Sequence, residues 1–87
     1  MNGRELVGWN VRRLRVALGL TQEALAVDAG LDRSYVGRIE RATENPSVDT
    51  LDQLAVALRV ASAELLREPA EGEARPAPLR SGRKLGN

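Results

Sequence analysis

The sequence predicts an all-α bundle of five short helices followed by a disordered tail, and three features point to it. Apolar residues recur at helical spacing in two places, Val7, Val11, Leu14 and Leu18 and then Leu51, Leu54, Ala55 and Leu58. Between them, Thr21 and Asp32 stand as N-cap residues on either side of Gly30, which marks two short helices joined by a tight turn. From Glu68 the composition changes to EPAEGEARPAPLRSGRKLGN, with three of the four prolines and few apolar residues. One domain over residues 1–67 and a disordered tail over 68–87 are therefore expected.

The first helix opens at a capping box, Asn2 with Glu5 three residues later, and runs from about Gly3 to Leu18. Its stripe of Val7, Val11, Leu14 and Leu18 is one face, while Arg12, Arg13 and Arg15 crowd the rest. Trp9 is out of phase with the stripe and is expected to be partly buried near the N-terminal end of the bundle. Gly19 ends the helix.

The central stretch, LTQEALAVDAGLDRSYVGRIE over Leu20 to Glu40, holds the second and third helices. Thr21 caps the second, with Gln22 and Glu23 in its first turn and Leu25 facing inward. Gly30 supplies positive φ, Leu31 turns inward and Asp32 caps the third helix. A turn this short is the helix-turn-helix geometry, which lays the second helix of the pair in a DNA major groove. On a wheel with Arg33 at zero, Val36 and Ile39 fall at about 300° and 240°, and Arg33, Ser34, Gly37, Arg38 and Arg41 fall between about 0° and 140°. The planar arginine fork matches guanine O6 and N7, and a serine hydroxyl suits several base edges. Gly37 costs about 1 kcal/mol of helix propensity, for which close approach of the backbone to a duplex is a return. Tyr35, at about 200°, is placed to serve a phosphate or to pack. An arginine-rich face on an isolated helix is commonly just solvated; its place after a capped helix and a glycine turn favours DNA.

After Glu40 comes a polar loop, RATENP, with Asn45-Pro46 as its turn signal. Ser47 caps a fourth helix with Asp49 in its first turn, and Ser62 to Arg67 forms a last short helix that brings Leu65 and Leu66.

The order TQ-x-x-LA, AG, RIE and NP-x-x-x-TL, from Leu6 to Leu66, resembles the Cro/CI-type (XRE-like) helix-turn-helix domain of phage repressors and bacterial regulators. The resemblance implies the lambda-repressor-like bundle, with Arg15 paired to Glu40 and the loop lying along the DNA backbone, so that Arg41, Thr43 and Asn45 meet phosphates. Two positions depart from that family: Ala42 and Arg59 stand where it usually has glycine, which puts the loop's shape and the end of the fourth helix in question.

Composition narrows the function. At 87 residues the chain buries only a thin core, which must be aliphatic because Phe is absent and Trp and Tyr occur once each. Without Cys or His the usual nucleophile, general base and zinc constellations cannot be assembled, so neither an enzyme nor a metal or other cofactor is expected. No apolar run approaches the roughly 18 residues of a membrane span and no signal-peptide core is present, so a cytoplasmic protein is expected. Net charge is only +1, but residues 1–41 hold seven Arg against five acids, residues 42–68 two against five, and residues 69–87 four bases against two. One face can therefore meet phosphates while another stays away from them.

The expected function is sequence-specific DNA binding by a transcriptional regulator, with Thr21 and Gln22 on phosphate and Arg33, Ser34 and Arg38 on bases. A homodimer on a palindromic operator is expected, pairing through Val48, Leu51, Leu65 and Leu66, because one short helix reads too few base pairs and that half is poor in arginine. Resemblance points to a restriction-modification controller or a short phage-type repressor. The alternative is an antitoxin or other protein-interaction module on the same fold; a non-specific architectural binder fits the near-neutral charge poorly. No small-molecule ligand is expected.

Overall fold

The computed structural model describes residues 1–70. Among the described residues four α-helices follow one another, α1 (Gly3–Ala17), α2 (Gln22–Ala29), α3 (Arg33–Glu40) and α4 (Val48–Leu58), and a 3-10 segment (Ser62–Leu66) comes after them. The all-α class agrees with expectation, but the fifth element is not an α-helix. It begins without a side-chain cap at Ala61 and is five residues long. Such a segment makes i→i+3 bonds, as Glu64 N–H to Ala61 O does, rather than a propagating α ladder. Most of the expected tail lies outside the described residues. Among the described residues no helix is long and apolar enough to cross a membrane.

Local chemistry places each helix start. Asn2 and Glu5 form the reciprocal capping box at 2.9 Å each way. Thr21 and Ser47 hydroxyls accept the Ala24 and Thr50 backbone N–H groups at 3.0 Å. Satisfying these otherwise orphaned donors sets where each short helix begins.

The core is aliphatic: Val7, Val11, Leu25, Ala26, Ala29, Val36, Ile39, Leu54, Ala55, Leu58 and Leu65. α1 packs on α3 and the 3-10 segment, and α2 packs on α3 and α4. The α1 stripe holds as far as Leu14, which is partly buried. Leu18 does not join the core; it is the C-cap residue, 40% exposed, beyond the last turn that reaches the bundle. Trp9 is buried more completely than expected, at 8% exposure.

Two contacts position the rest. Asn10, fully buried, donates from Nδ2 to Leu65 O (3.2 Å) and Arg67 O (2.8 Å), while its Oδ1 accepts from Arg13. The 3-10 segment is thereby stapled to α1 and Leu65 is driven fully inside. At Gly8, a Cβ would stand 2.7 Å from Ile39 O and 2.9 Å from Glu40 O, so at this point α1 and the end of α3 meet backbone to backbone. The conformation of the two family glycine positions survives their replacement: Ala42 has φ 63° and Arg59 φ 65°.

Candidate nucleic-acid interface

α2, a three-residue turn and α3 pack together as one unit. Gly30, at φ 71°, lets Leu31 N–H reach back to Ala26 O at 2.8 Å, closing α2 as an αL glycine does. Asp32 then accepts from Ser34 N–H at 2.9 Å and starts α3. Its carboxyl is held below the ordinary value of 3.8, chiefly by the hydrogen bond from the Ser34 hydroxyl and next by the Ser34 backbone N–H.

α3 buries Val36 and Ile39 and turns Arg33, Ser34 and Arg41 outward as the wheel predicts, but Gly37, which the wheel places on that outward face, is buried. Arg33, Ser34 and Arg41 are exposed, and Tyr35 and Arg38 are partly so. Arg33 Nη1 stands 4.0 Å from Glu23 Oε1 with both side chains about 70% exposed, a pair too solvated to restrain either. Arg38 is held more firmly. Its Nε donates to Glu44 Oε2 at 2.6 Å, its Nη1 to Ser34 Oγ at 3.3 Å, and its guanidinium carbon lies 5.7 Å from the Tyr35 ring centre.

Beneath this face sits the ion pair that the resemblance implies. Arg15 Nε donates to Glu40 Oε2 at 2.6 Å and Nη2 to Glu40 Oε1 at 3.0 Å, while Nη1 donates to Leu20 O at 2.8 Å. The two side chains are 4% and 3% exposed. A bidentate fork fixes α3 against α1 in orientation as well as distance.

The other expected residues are distributed as follows. Thr21 and Gln22 open α2; the Thr21 hydroxyl is used in its own cap, and the Gln22 amide donates to Glu40 Oε1 at 3.0 Å. Gln22 and Arg41 side chains cover Gly37, where a Cβ would lie 3.4 Å from each, an ordinary contact. The described fold itself therefore does not demand glycine there. Thr43 is exposed and folds its N–H (3.0 Å) and hydroxyl (3.1 Å) onto Arg38 O, closing α3. Asn45 stands apart, with Arg4, Pro46, Leu51 and Leu66 on a groove of about 490 Å³. Of the four expected pairing residues, Val48 (72% exposed) and Leu66 (47%) are open to solvent and Leu51 is partly buried. Leu65 is a correction: fully enclosed in its own core, it has no surface to offer a second chain.

Sequence reasoning missed Glu44, Gly8 and Asn10. Glu44 sits in a loop that reads only as polar, and neither Gly8 nor Asn10 stands out in the pattern of α1.

Two capped helices, an αL glycine turn between them and a basic outward face on the second define a helix-turn-helix domain. Comparison with known proteins agrees: the helix-turn-helix family pattern matches residues 11–65. An uncharacterised HTH-type transcriptional regulator, y4dJ, of Sinorhizobium fredii is 46% identical over 66 residues, covering 76% of this chain and 86% of that protein. Control protein C.BamHI of Bacillus amyloliquefaciens is 39% identical over 66 residues, covering 75% and 82%. The crystal structure of the restriction-modification controller protein C.AhdI from Aeromonas hydrophila superposes with a TM-score of 0.69 at 47% identity, over 71% of this chain and 94% of that one. The chain belongs to the helix-turn-helix family of DNA-binding transcriptional regulators, in its Cro/CI-type (XRE-like) class.

Proposed function

We propose that the outward face of α3 reads a palindromic operator in the major groove, and that the chain works there as a homodimer of the restriction-modification controller kind. The observation that carries this reading is α3 itself. Its apolar side is spent on the core, its backbone is locked by the buried Arg15–Glu40 pair, and what it presents outward is Arg33, Ser34, Arg38 and Arg41. Arg33 and Ser34 lie in the first turn, the part of a recognition helix that meets base edges. The Gln22 amide being committed to Glu40, phosphate at α2 falls to the backbone N–H groups of its first turn, beside Thr21. Arg41 and Thr43 follow on the loop as further phosphate contacts, whereas Asn45 lies on the groove beside Leu51 and Leu66.

Pairing through the exposed Val48 and Leu66, with Leu51 between them and the core, keeps the two reading helices free. The controller assignment is supported by the match to C.AhdI along nearly the whole of that protein. Selection of bound duplexes from a randomised library by the purified chain tests the proposal. Enrichment of an inverted repeat, with half-sites about one helical turn apart and two chains bound per duplex, is expected. Recovery of no sequence preference, or of a stable complex with another protein and no duplex, contradicts it.

A further inference from the structure

We infer that Glu44 is a specificity-determining residue, which cancels the charge of Arg38 while leaving its hydrogen-bonding fork free, so that Arg38 answers to a base edge rather than to any phosphate. The inference rests on the reading above, in which the α3 face meets DNA.

A carboxylate beside a phosphate-binding surface is unfavourable unless it does something there. Glu44, with a side chain 30% exposed, comes from the loop after α3 and closes on Arg38 Nε at 2.6 Å. Ser34 Oγ takes one hydrogen from Nη1, and the Tyr35 ring flanks the guanidinium. Of the five guanidinium hydrogens, two are engaged. The other three, two on Nη2 and one on Nη1, have no acceptor among the described residues.

Phosphate and guanine differ in what they need from an arginine. Attraction to phosphate is driven by net charge and counterion release, and an arginine already paired with a carboxylate contributes little of either. Guanine O6 and N7 are uncharged acceptors recognised by paired N–H groups in a fixed geometry, and Nη1 and Nη2 still supply those. Glu44 therefore weakens binding to arbitrary sequence without removing the groups that read a base, and by fixing the guanidinium it reduces the ordering needed on the cognate site.

The test compares the wild-type chain with Glu44→Gln, Glu44→Asp, Arg38→Ala and Arg38→Ala/Glu44→Gln. Each is titrated over a range of salt against a duplex selected by the wild type from a random library and against a scrambled duplex of equal length. Glu44→Gln is expected to bind the scrambled duplex roughly fivefold more tightly, with a log–log salt slope steeper by about 0.9, one added phosphate contact. Its discrimination between the two duplexes falls accordingly. Glu44→Asp, which keeps the charge, is expected to retain the wild-type slope. Once Arg38 is alanine, Glu44→Gln only removes an unpaired carboxylate from beside phosphate, so it is expected to tighten both duplexes alike and leave the discrimination between them unchanged. An unchanged slope in Glu44→Gln, or an equal loss of discrimination with and without Arg38, overturns the inference while leaving the reading surface intact. A wild-type chain that prefers no duplex overturns both. Far-UV circular dichroism confirms that each variant is folded.

Discussion

Replacing Glu40 with alanine removes the acceptor of two arginine hydrogen bonds, at 2.6 and 3.0 Å, from a site where both partners are almost wholly enclosed. What remains is a guanidinium with Leu20 O as its one acceptor among the described residues, and a Gln22 amide that has lost its own. Breaking a buried pair from one side typically costs about 3–5 kcal/mol, because the surviving charge stays desolvated. The retained Leu20 contact places this case near the lower end, at about 3 kcal/mol. A chain of this length is stable by roughly 4–13 kcal/mol, so the loss is a large fraction, with a Tm lower by about 12–24 °C. Urea denaturation followed by circular dichroism and by Trp9 fluorescence measures it. Arg15→Ala is expected to cost a similar amount, and the double replacement clearly less than the sum, since the second change removes the stranded group. Additivity of the two singles within about 0.5 kcal/mol, or a loss for Glu40→Ala below about 1 kcal/mol, would refute the pairing as a source of stability.

Further expectations concern the backbone and the cap. Gly8→Ala forces a methyl group onto the Ile39 and Glu40 carbonyls and should destabilise by about 1–3 kcal/mol in the same assay, whereas Gly37→Ala meets only ordinary contacts and should stabilise by up to about 1 kcal/mol. If α3 approaches a duplex closely at Gly37, that second variant is more stable yet binds its operator less tightly. Ala42→Gly relieves the left-handed conformation at φ 63° and should raise stability by up to about 1 kcal/mol, the gain being reduced by the freer unfolded chain. Asp32 has a folded-state value below the ordinary 3.8, so its cap contributes fully above that value and the contribution is lost as pH falls through the lower folded value. Urea midpoints of the wild type and Asp32→Asn should accordingly diverge less as pH drops below about 4.

Much of the fold was legible because helix ends are written in local chemistry. Asn2 with Glu5, Thr21, Asp32 and Ser47 each cap the helix expected of them, and Gly30 takes the positive φ its place in the turn requires. The outward face of α3 was equally readable, since Val36 and Ile39 share one side of a regular helix. Tertiary partners were not. Leu65 and Leu66 adjoin each other in a five-residue segment with no period to tell inside from outside, and it is Asn10, some 55 residues earlier, that settles which is buried. The stringency at Gly8 depends on two carbonyls at the far end of α3. Ala42 and Arg59 show propensity overridden, since the surrounding packing holds both at positive φ without glycine. Glu44 became significant only when the loop folded back onto Arg38.

The central claim is that the outward face of α3 reads sequence, and titration of Arg33→Ala against the selected operator and its single-base variants at fixed salt tests it most directly. Arg33 is exposed and only loosely paired, so its removal is expected to leave the fold unchanged. The expected result is a loss of about 1–3 kcal/mol on the operator together with relaxed preference at one base pair in each half-site, a guanine contact. Undiminished affinity and unchanged discrimination at every position would show that this face does not read the DNA.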